Sequence, residues 1–386
     1  MEQVREPDSR YQIGVGKVDE LAQLVQEKQA EKVIFDNLLR PLQSYNLAKA
    51  TKVENIDRFE LILEIFTKRA TTSEAQMQIQ LARLRRGLAQ AKEKVRLTKK
   101  GEQPGFMGLG AYEADVYFES VKKEVHAIRR KLRKIRGKRV LHRDRRAELG
   151  FTSISLAGYT KAGKSSLFNA LTRETVPVDA QLFTTLSTTT RLIIIKKKRF
   201  LLTDTVGFID RLPLTLIEAF HSTLEETIYS DLILLLVDAS EPLPTIEKKL
   251  ATCIETIEHI GAAGIPTITL LNKTDLTQEK ELHAKTEALR EKASTLIPIS
   301  ALQKTNLDRV RDEILETLKN YVRASFSISL SKEIRPFMAW LYRNTDVKKA
   351  EYNENSVQVI FESSPTIAEK VRSRVEREFE GKVERL

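Results

Sequence analysis

Apolar residues recur at alternating steps of four and three in two separate stretches of the chain. Met77, Leu81, Leu84, Leu88, Ala91 and Val95 form the first, and Val121, Val125, Ile128, Leu132 and Ile135 the second. This spacing draws a narrow apolar seam down one side of a helix and predicts two helices packed seam to seam. The Gly/Pro-containing GEQPGFMGLG (101–110) separates them, so 70–149 reads as an antiparallel coiled-coil hairpin. Its second helix, about 30 residues long, would reach roughly 45 Å.

On either side the periodicity changes. GKVDELAQLVQEK is apolar at helical spacing, KVIFD (32–36) is a short apolar strand, and NIDRFELILEIF (55–66) reads as a strand running into a helix. Together they predict a small α/β domain over 1–69. From 152, the strands SISLAG, RLIIIKK, RFLLTD, DLILLLVD, PTITLLNK and LIPIS alternate with helical patterns such as SSLFNAL. That alternation predicts an α/β domain with a doubly wound parallel sheet over 150–322. The segment 323–386 holds a helix at 332–343, a strand at SVQVIFES (356–363) and a helix at 366–379, a small α+β domain.

Composition fits a soluble globular chain: 386 residues, 41% hydrophobic and 30% charged, enough for several domains. The formal net charge is +11, and residues 81–150 hold 21 Lys/Arg against 8 Asp/Glu, so this hairpin carries the whole excess. A solvated helix ordinarily carries mixed charge without consequence. A single hairpin with runs such as RRKLRKIRGKR (129–139) points instead to a nucleic-acid backbone. Cys253 is the sole cysteine, which excludes an internal disulfide and a Cys-based metal cluster and fits a reducing cytoplasm. LILLLV (232–237) is far too short to span a bilayer, and MEQVREPDSR lacks the apolar core of a signal peptide.

GYTKAGKS (158–165) follows a predicted strand and precedes a predicted helix, as a phosphate-binding loop must. Gly158, Tyr159, Thr160, Lys161, Ala162, Gly163, Lys164, Ser165 and Ser166 therefore form the candidate cradle. The glycines let backbone N–H groups curl around phosphate oxygens, Lys164 supplies a point charge, and Ser165 offers a hydroxyl to Mg²⁺. Asn272-Lys273-Thr-Asp275-Leu276 closes the strand TITLL and selects the base. The Asp275 carboxylate can accept hydrogen bonds from guanine N1–H and its exocyclic amine, a pair adenine lacks; Asn272 can meet the other edge and Lys273 can lie along the ring. Ser300, Ala301 and Leu302, at the end of LIPI, would bring a backbone amide to the guanine oxygen. Three motifs in order, each at a strand end, point to GTP.

Between loop and Asp204-Thr-Val-Gly207 lies LFTTLSTTTR (182–191), which contains Phe183. A threonine there would reach Mg²⁺ and the γ-phosphate only with GTP bound; by spacing Thr184, Thr185 and Thr188 to Thr190 all compete. Asp204 would hold Mg²⁺ through water, and the Gly207 N–H would meet the γ-phosphate. Ras-type proteins place a water-orienting glutamine after that glycine. Here the residue is Phe208, which has no hydrogen-bonding group.

Taken together, GKVDEL (16–21), IDRFELILEIFTKRA (56–70), RRAELGFTSISLAGYTKAGKSSLFNALT (145–172), LFTTL (182–186) and DTVGFIDRLPLTLIEAFHSTLEE (204–226) resemble the HflX family of ribosome-associated GTPases. The resemblance runs through about 320. It implies an amino-terminal α/β domain, a helical hairpin and a GTPase domain that bind the large ribosomal subunit and its RNA and split stalled or idle ribosomes. It implies that Thr185 is the magnesium threonine, and that turnover with Phe208 is slow until the ribosome completes the site. Nothing in the sequence requires a dimer, so a cytoplasmic monomer is the expectation. Lys161 replaces the family's usual asparagine, Ala111 departs from the usual hairpin tip, and the first domain begins later than in many relatives. A large-subunit assembly GTPase and a GTP-gated RNA-binding or remodelling protein are the alternative functions.

Overall fold

The computed structural model describes residues 6–99, 111–172, 188–210, 224–293, 295–318, 322–331, 333–353, 355–363 and 365–385. The chain forms two compact units that part between Lys134 and Ile135, inside one long helix.

The first unit opens with α1 (Val15–Glu27), β1 (Lys32–Phe35), α2 (Pro41–Thr51), β2 (Glu54–Asp57) and α3 (Arg58–Arg69). β1 and β2 pair in parallel, Lys32 opposite Glu54. Two strands are marginal alone; here Val18, Leu39 and Leu47 form one buried cluster, and Ile56, Phe59, Ile62, Leu63 and Phe66 are buried as well. Asp57, 1% exposed, accepts the backbone N–H groups of Glu60 and Leu39, each at 3.0 Å, and pairs with Arg86. One carboxylate thus caps α3 and ties it to α4 (Ser73–Lys99).

The predicted seam forms. Leu81, Val121, Val125 and Ile128 are buried together, with Met77, Leu84, Leu88 and Leu132 packed against them. The loop 101–110 and the side chains of Ala91 and Val95 lie outside the described residues. α5 (Ala111–Glu148) has 38 residues, longer than the seam predicted, and spans about 57 Å. Beyond Ile135 it is sustained by Lys and Arg, which are good helix formers, and the exposed Gly137 interrupts it only weakly.

In the second unit six strands follow the order β4-β5-β3-β6-β7-β8. These are β3 (Thr152–Gly158), β4 (Thr189–Ile195), β5 (Lys198–Asp204), β6 (Leu232–Asp238), β7 (Thr267–Asn272) and β8 (Leu296–Pro298). All pairs are parallel except β4–β5, so the predicted sheet gains an antiparallel edge. The cause is the two-residue turn Lys196-Lys197, both at positive φ (43° and 69°), which folds the chain straight back. α6 (Lys164–Thr172), α7 (Leu243–His259), α8 (Glu279–Leu289) and α9 (Leu307–Thr317) flank the sheet. Leu167 and Phe168 of α6 and Val310 and Ile314 of α9 bury against Ile154, Leu156, Phe200 and Leu202.

The last segment is β9 (Val322–Ser329), α10 (Ile334–Asn344), β10 (Asp346–Tyr352), β11 (Ser356–Ser363), α11 (Pro365–Phe379) and β12 (Val383–Arg385). Its antiparallel sheet runs β10-β11-β9-β12, a split β-α-β arrangement around Phe326, Phe337, Phe361 and Val371. Three of its strands are absent from the sequence-based assignment, although Val322, Ala324, Phe326 and Ile328 alternate cleanly. Among the described residues, no helix is long and apolar enough to cross a membrane.

Candidate functional site

The phosphate loop joins β3 to α6, and its glycines are dictated by their surroundings. Gly158 sits at φ +143°, and a Cβ there would overlap the Leu236 carbonyl of the neighbouring strand. Gly163, at φ +95°, leaves space for the Asn272 amide. Lys164 is 7% exposed, and its Nζ donates to the carbonyls of Gly158 (3.1 Å) and Tyr159 (3.0 Å). Burial pushes this ammonium below the ordinary lysine value, with Asp204 pulling it back up. Such a charge gains from any anion placed in the loop.

The DTVG segment is fastened to the loop through its backbone. Phe208 N–H donates to the Gly158 carbonyl at 3.0 Å, and Thr160 N–H donates to the Phe208 carbonyl at 2.8 Å. Gly207 lies so near that an added Cβ would stand 2.9 Å from Lys164 Nζ. Phe208 itself is 2% exposed, a packing residue in this conformation. Ser165 Oγ donates to Asp204 Oδ2 at 2.9 Å, which brings two hard oxygen donors together at the start of α6.

A second layer supports the loop. Tyr159 Oη accepts the Asp210 N–H at 3.1 Å, and Lys249 Nζ stands 4.6 Å from the Tyr159 ring centroid. Burial would raise the Asp210 carboxyl, but Lys248, at 2.8 Å, outweighs it and holds the group below its ordinary value. Cys253 lies 1% exposed in the interior, and burial pushes its thiol up to about 12, so it is chemically inert.

Beyond β7, Ser300 donates to Asp275 Oδ1 at 2.5 Å and is itself held by the Gln303 N–H at 3.0 Å. Asn272 is 2% exposed; its Nδ2 donates to the Ala162 carbonyl (2.8 Å), and its Oδ1 accepts the Ala301 N–H (3.0 Å). It therefore ties the phosphate loop to the SAL turn. The Ser300 N–H bonds the Thr305 carbonyl at 3.3 Å, so the Ser300 and Ala301 amides are both engaged within the protein. Lys273, at φ +68°, pairs with Asp238 at 2.5 Å. Leu276 and Leu302, next to Asp275 and Ala301 in the chain, are 67% and 79% exposed.

Of the competing threonines, Thr189 and Thr190 belong to β4, opposite Asp204 and Thr203, and Thr190 Oγ1 lies 2.9 Å from Thr203 Oγ1. Thr188 immediately precedes that strand. Phe183, Thr184 and Thr185 lie outside the described residues.

The run that carries the family resemblance reaches Glu226, but no motif assigns partners to the segment 224–231. Arg136 Nε is 2.6 Å from Glu225 Oε1, Arg146 Nη2 is 3.5 Å from Glu226 Oε2, and the Arg143 guanidinium lies 3.5 Å from the Tyr229 ring centroid. The Glu225 side chain is 3% exposed. The carboxyl-terminal part of α5 is thus bonded to the chain that follows DTVG.

This geometry can be set beside known proteins. Family profiles described as GTP-binding GTPase N-terminal, GTP-binding GTPase Middle Region and 50S ribosome-binding GTPase match residues 1–67, 69–146 and 153–273. The GTPase HflX of Methanocaldococcus jannaschii is 45% identical over 361 residues, 93% of this chain and 87% of that protein. The chain belongs to the HflX GTPase family. The Thermococcus kodakarensis HflX is 39% identical over 366 residues, 92% of this chain and 83% of its own length. A solved structure of a GTP-binding protein from Sulfolobus solfataricus in complex with GDP is 27% identical, covers 82% of this chain and 88% of that one, and has a TM-score of 0.45. As an HflX GTPase, the chain binds GTP and hydrolyses it to GDP and phosphate.

Proposed function

We propose that GTP-bound protein docks on the large ribosomal subunit through the hairpin and the amino-terminal domain, separates stalled or idle ribosomes, and leaves after hydrolysis. The observation that carries this reading is the basic stretch of α5 in which Arg129, Arg130, Lys131, Arg133 and Lys134 are all exposed. A rigid helix bearing such a row can follow an RNA backbone. The match to the 50S ribosome-binding GTPase profile supports the same partner. The protein works as a cytoplasmic monomer in this reading.

At the nucleotide, Asp275 oriented by Ser300 reads guanine, and Asn272 holds loop and SAL turn in register. Lys164 meets the β- and γ-phosphates, and the Gly207 N–H meets the γ-phosphate. The oxygen donors Ser165 and Asp204 suit Mg²⁺, which takes oxygen ligands and keeps several waters; Thr185 would join them in the GTP state. Bound there, the ion would neutralise developing phosphate charge. Movement of the DTVG segment would reach the hairpin through Glu225, Glu226 and Tyr229.

Two measurements test the proposal. Purified large subunits are expected to raise the GTP hydrolysis rate about a hundredfold, within the range of groups supplied in trans. The rise should vanish in Lys164→Ala. Replacing Arg129, Arg130, Lys131, Arg133 and Lys134 together by Gln should weaken subunit binding and flatten its salt dependence. An unstimulated rate, or an unchanged salt slope, would sink the reading. A sedimentation profile favouring immature over mature large subunits would point to assembly instead.

The coupling is tested separately. Arg143→Ala should leave GTP affinity within about threefold while lowering the GTP-over-GDP preference of subunit binding by up to about tenfold, the scale of one cation–π contact. Filter binding with each nucleotide reads both effects.

A further inference from the structure

The hydrolysis site has a gap and an unused charge. Phe208, 2% exposed, offers nothing polar where a water-orienting side chain could stand. Lys164 is buried at the base of the loop. Lys161, in contrast, stands exposed between Thr160 and Ala162, on the rim of the same cradle. Among the described residues its ammonium forms no ion pair.

The backbone on both sides of Lys161 is held. Thr160 N–H bonds the Phe208 carbonyl at 2.8 Å, Ala162 N–H bonds the Tyr159 carbonyl at 3.2 Å, and the Ala162 carbonyl accepts Asn272 Nδ2 at 2.8 Å. Lys161 itself is at φ +67°, where glycine or asparagine would fit with less strain. Positive φ alone decides little, since Lys196, Lys197, Lys273 and Lys304 share it. Position distinguishes Lys161: it is the exposed cation built into the phosphate loop, on a backbone clamped from three directions.

We infer that Lys161 is a catalytic residue of GTP hydrolysis, its ammonium lying against the γ-phosphate and the β–γ bridging oxygen. The inference rests on reading 158–165 as the phosphate cradle. In the reaction the oxygen of water bonds to the γ-phosphorus. The bond from that phosphorus to the bridging oxygen breaks, its electron pair stays on GDP, and both protons of the water leave on inorganic phosphate. Negative charge grows on the bridging oxygen as its bond breaks, and a cation held beside it stabilises that state more than the ground state. Lys161 thus does inside the chain a part of what an arginine supplied by a partner does elsewhere. The side chain is flexible and solvated, so the contribution is smaller than that of a buried arginine.

The test compares Lys161→Asn, Lys161→Ala and Lys161→Arg with wild-type protein in single-turnover GTP hydrolysis without ribosomes. Lys161→Asn and Lys161→Ala are expected to lose about 10- to 100-fold in rate, with GTP and GDP dissociation constants changed by less than about fivefold. Lys161→Arg should retain most of the rate. Methylammonium at tens of millimolar should restore part of the Lys161→Ala rate and leave wild type unaffected. Lys161→Asn removes strain, so its melting temperature should equal or exceed that of wild type. A lower rate with an unlowered melting temperature separates chemistry from structure. Full activity in Lys161→Asn and Lys161→Ala would overturn the inference. Unaltered nucleotide affinity in Lys164→Ala would overturn instead the cradle assignment on which it rests.

Discussion

Asp275→Asn is expected to lower GTP affinity by about 10³-fold or more and to raise affinity for xanthosine triphosphate. A pocket built to accept two hydrogen bonds from a base rejects an unmatched partner by roughly 10⁴–10⁵. The direction follows from Ser300, whose hydroxyl donates to Asp275 Oδ1 at 2.5 Å. An amide at 275 would keep its oxygen on Ser300 and turn its NH₂ to the base. That NH₂ opposes the exocyclic amine of guanine but matches the carbonyl that xanthine carries at the same position. Competition against a fluorescent guanine nucleotide measures both affinities. Unchanged GTP binding would remove Asp275 from base recognition. Ser300→Ala should give a smaller loss, about 10- to 100-fold, because the carboxylate remains but loses its orienting donor.

Asn272→Ala is expected to act on stability and binding together. The side chain is 2% exposed and serves two buried backbone groups, the Ala162 carbonyl and the Ala301 N–H. Leaving both without partners costs about 1–3 kcal/mol each. For a unit of this size the melting temperature should fall by roughly 5–15 °C. GDP affinity should fall about 100-fold or more, because the phosphate loop and the SAL turn lose the link that holds them in register. Calorimetry with and without GDP reads the two effects. A protein that melts as wild type would show that the loop is held by other contacts.

The nucleotide motifs were legible because each is a short run whose geometry is local. GYTKAGKS needs only a strand before it and a helix after it, and β3 and α6 supply them. NKTD and SAL each close a strand, at β7 and β8. The hairpin seam was legible for the same reason, since a four-three repeat is a property of one helix. Less visible was the partnership of residues far apart in sequence. Asn272 reads as a base contact in the motif, and only the fold shows it bridging Ala162 and Ala301. Asp57 caps α3, and the fold also brings it to the Leu39 N–H and to Arg86. The extension of α5 past its seam was hidden because a solvated basic helix leaves no hydrophobic period to read.

From the sequence alone came the order of elements, the P-loop class, the preference for guanine, the surplus of charge on one hairpin and the absence of a water-orienting glutamine. All of these are written in residue types at fixed short spacings. The tertiary structure decided where side chains spend their hydrogen bonds: that Phe208 is buried and its backbone joins the phosphate loop, that Lys161 stands exposed on a clamped turn, and that arginines of α5 bond the segment after DTVG. Such pairings depend on how elements pack in three dimensions. A local pattern carries no record of the partner that folding brings to it.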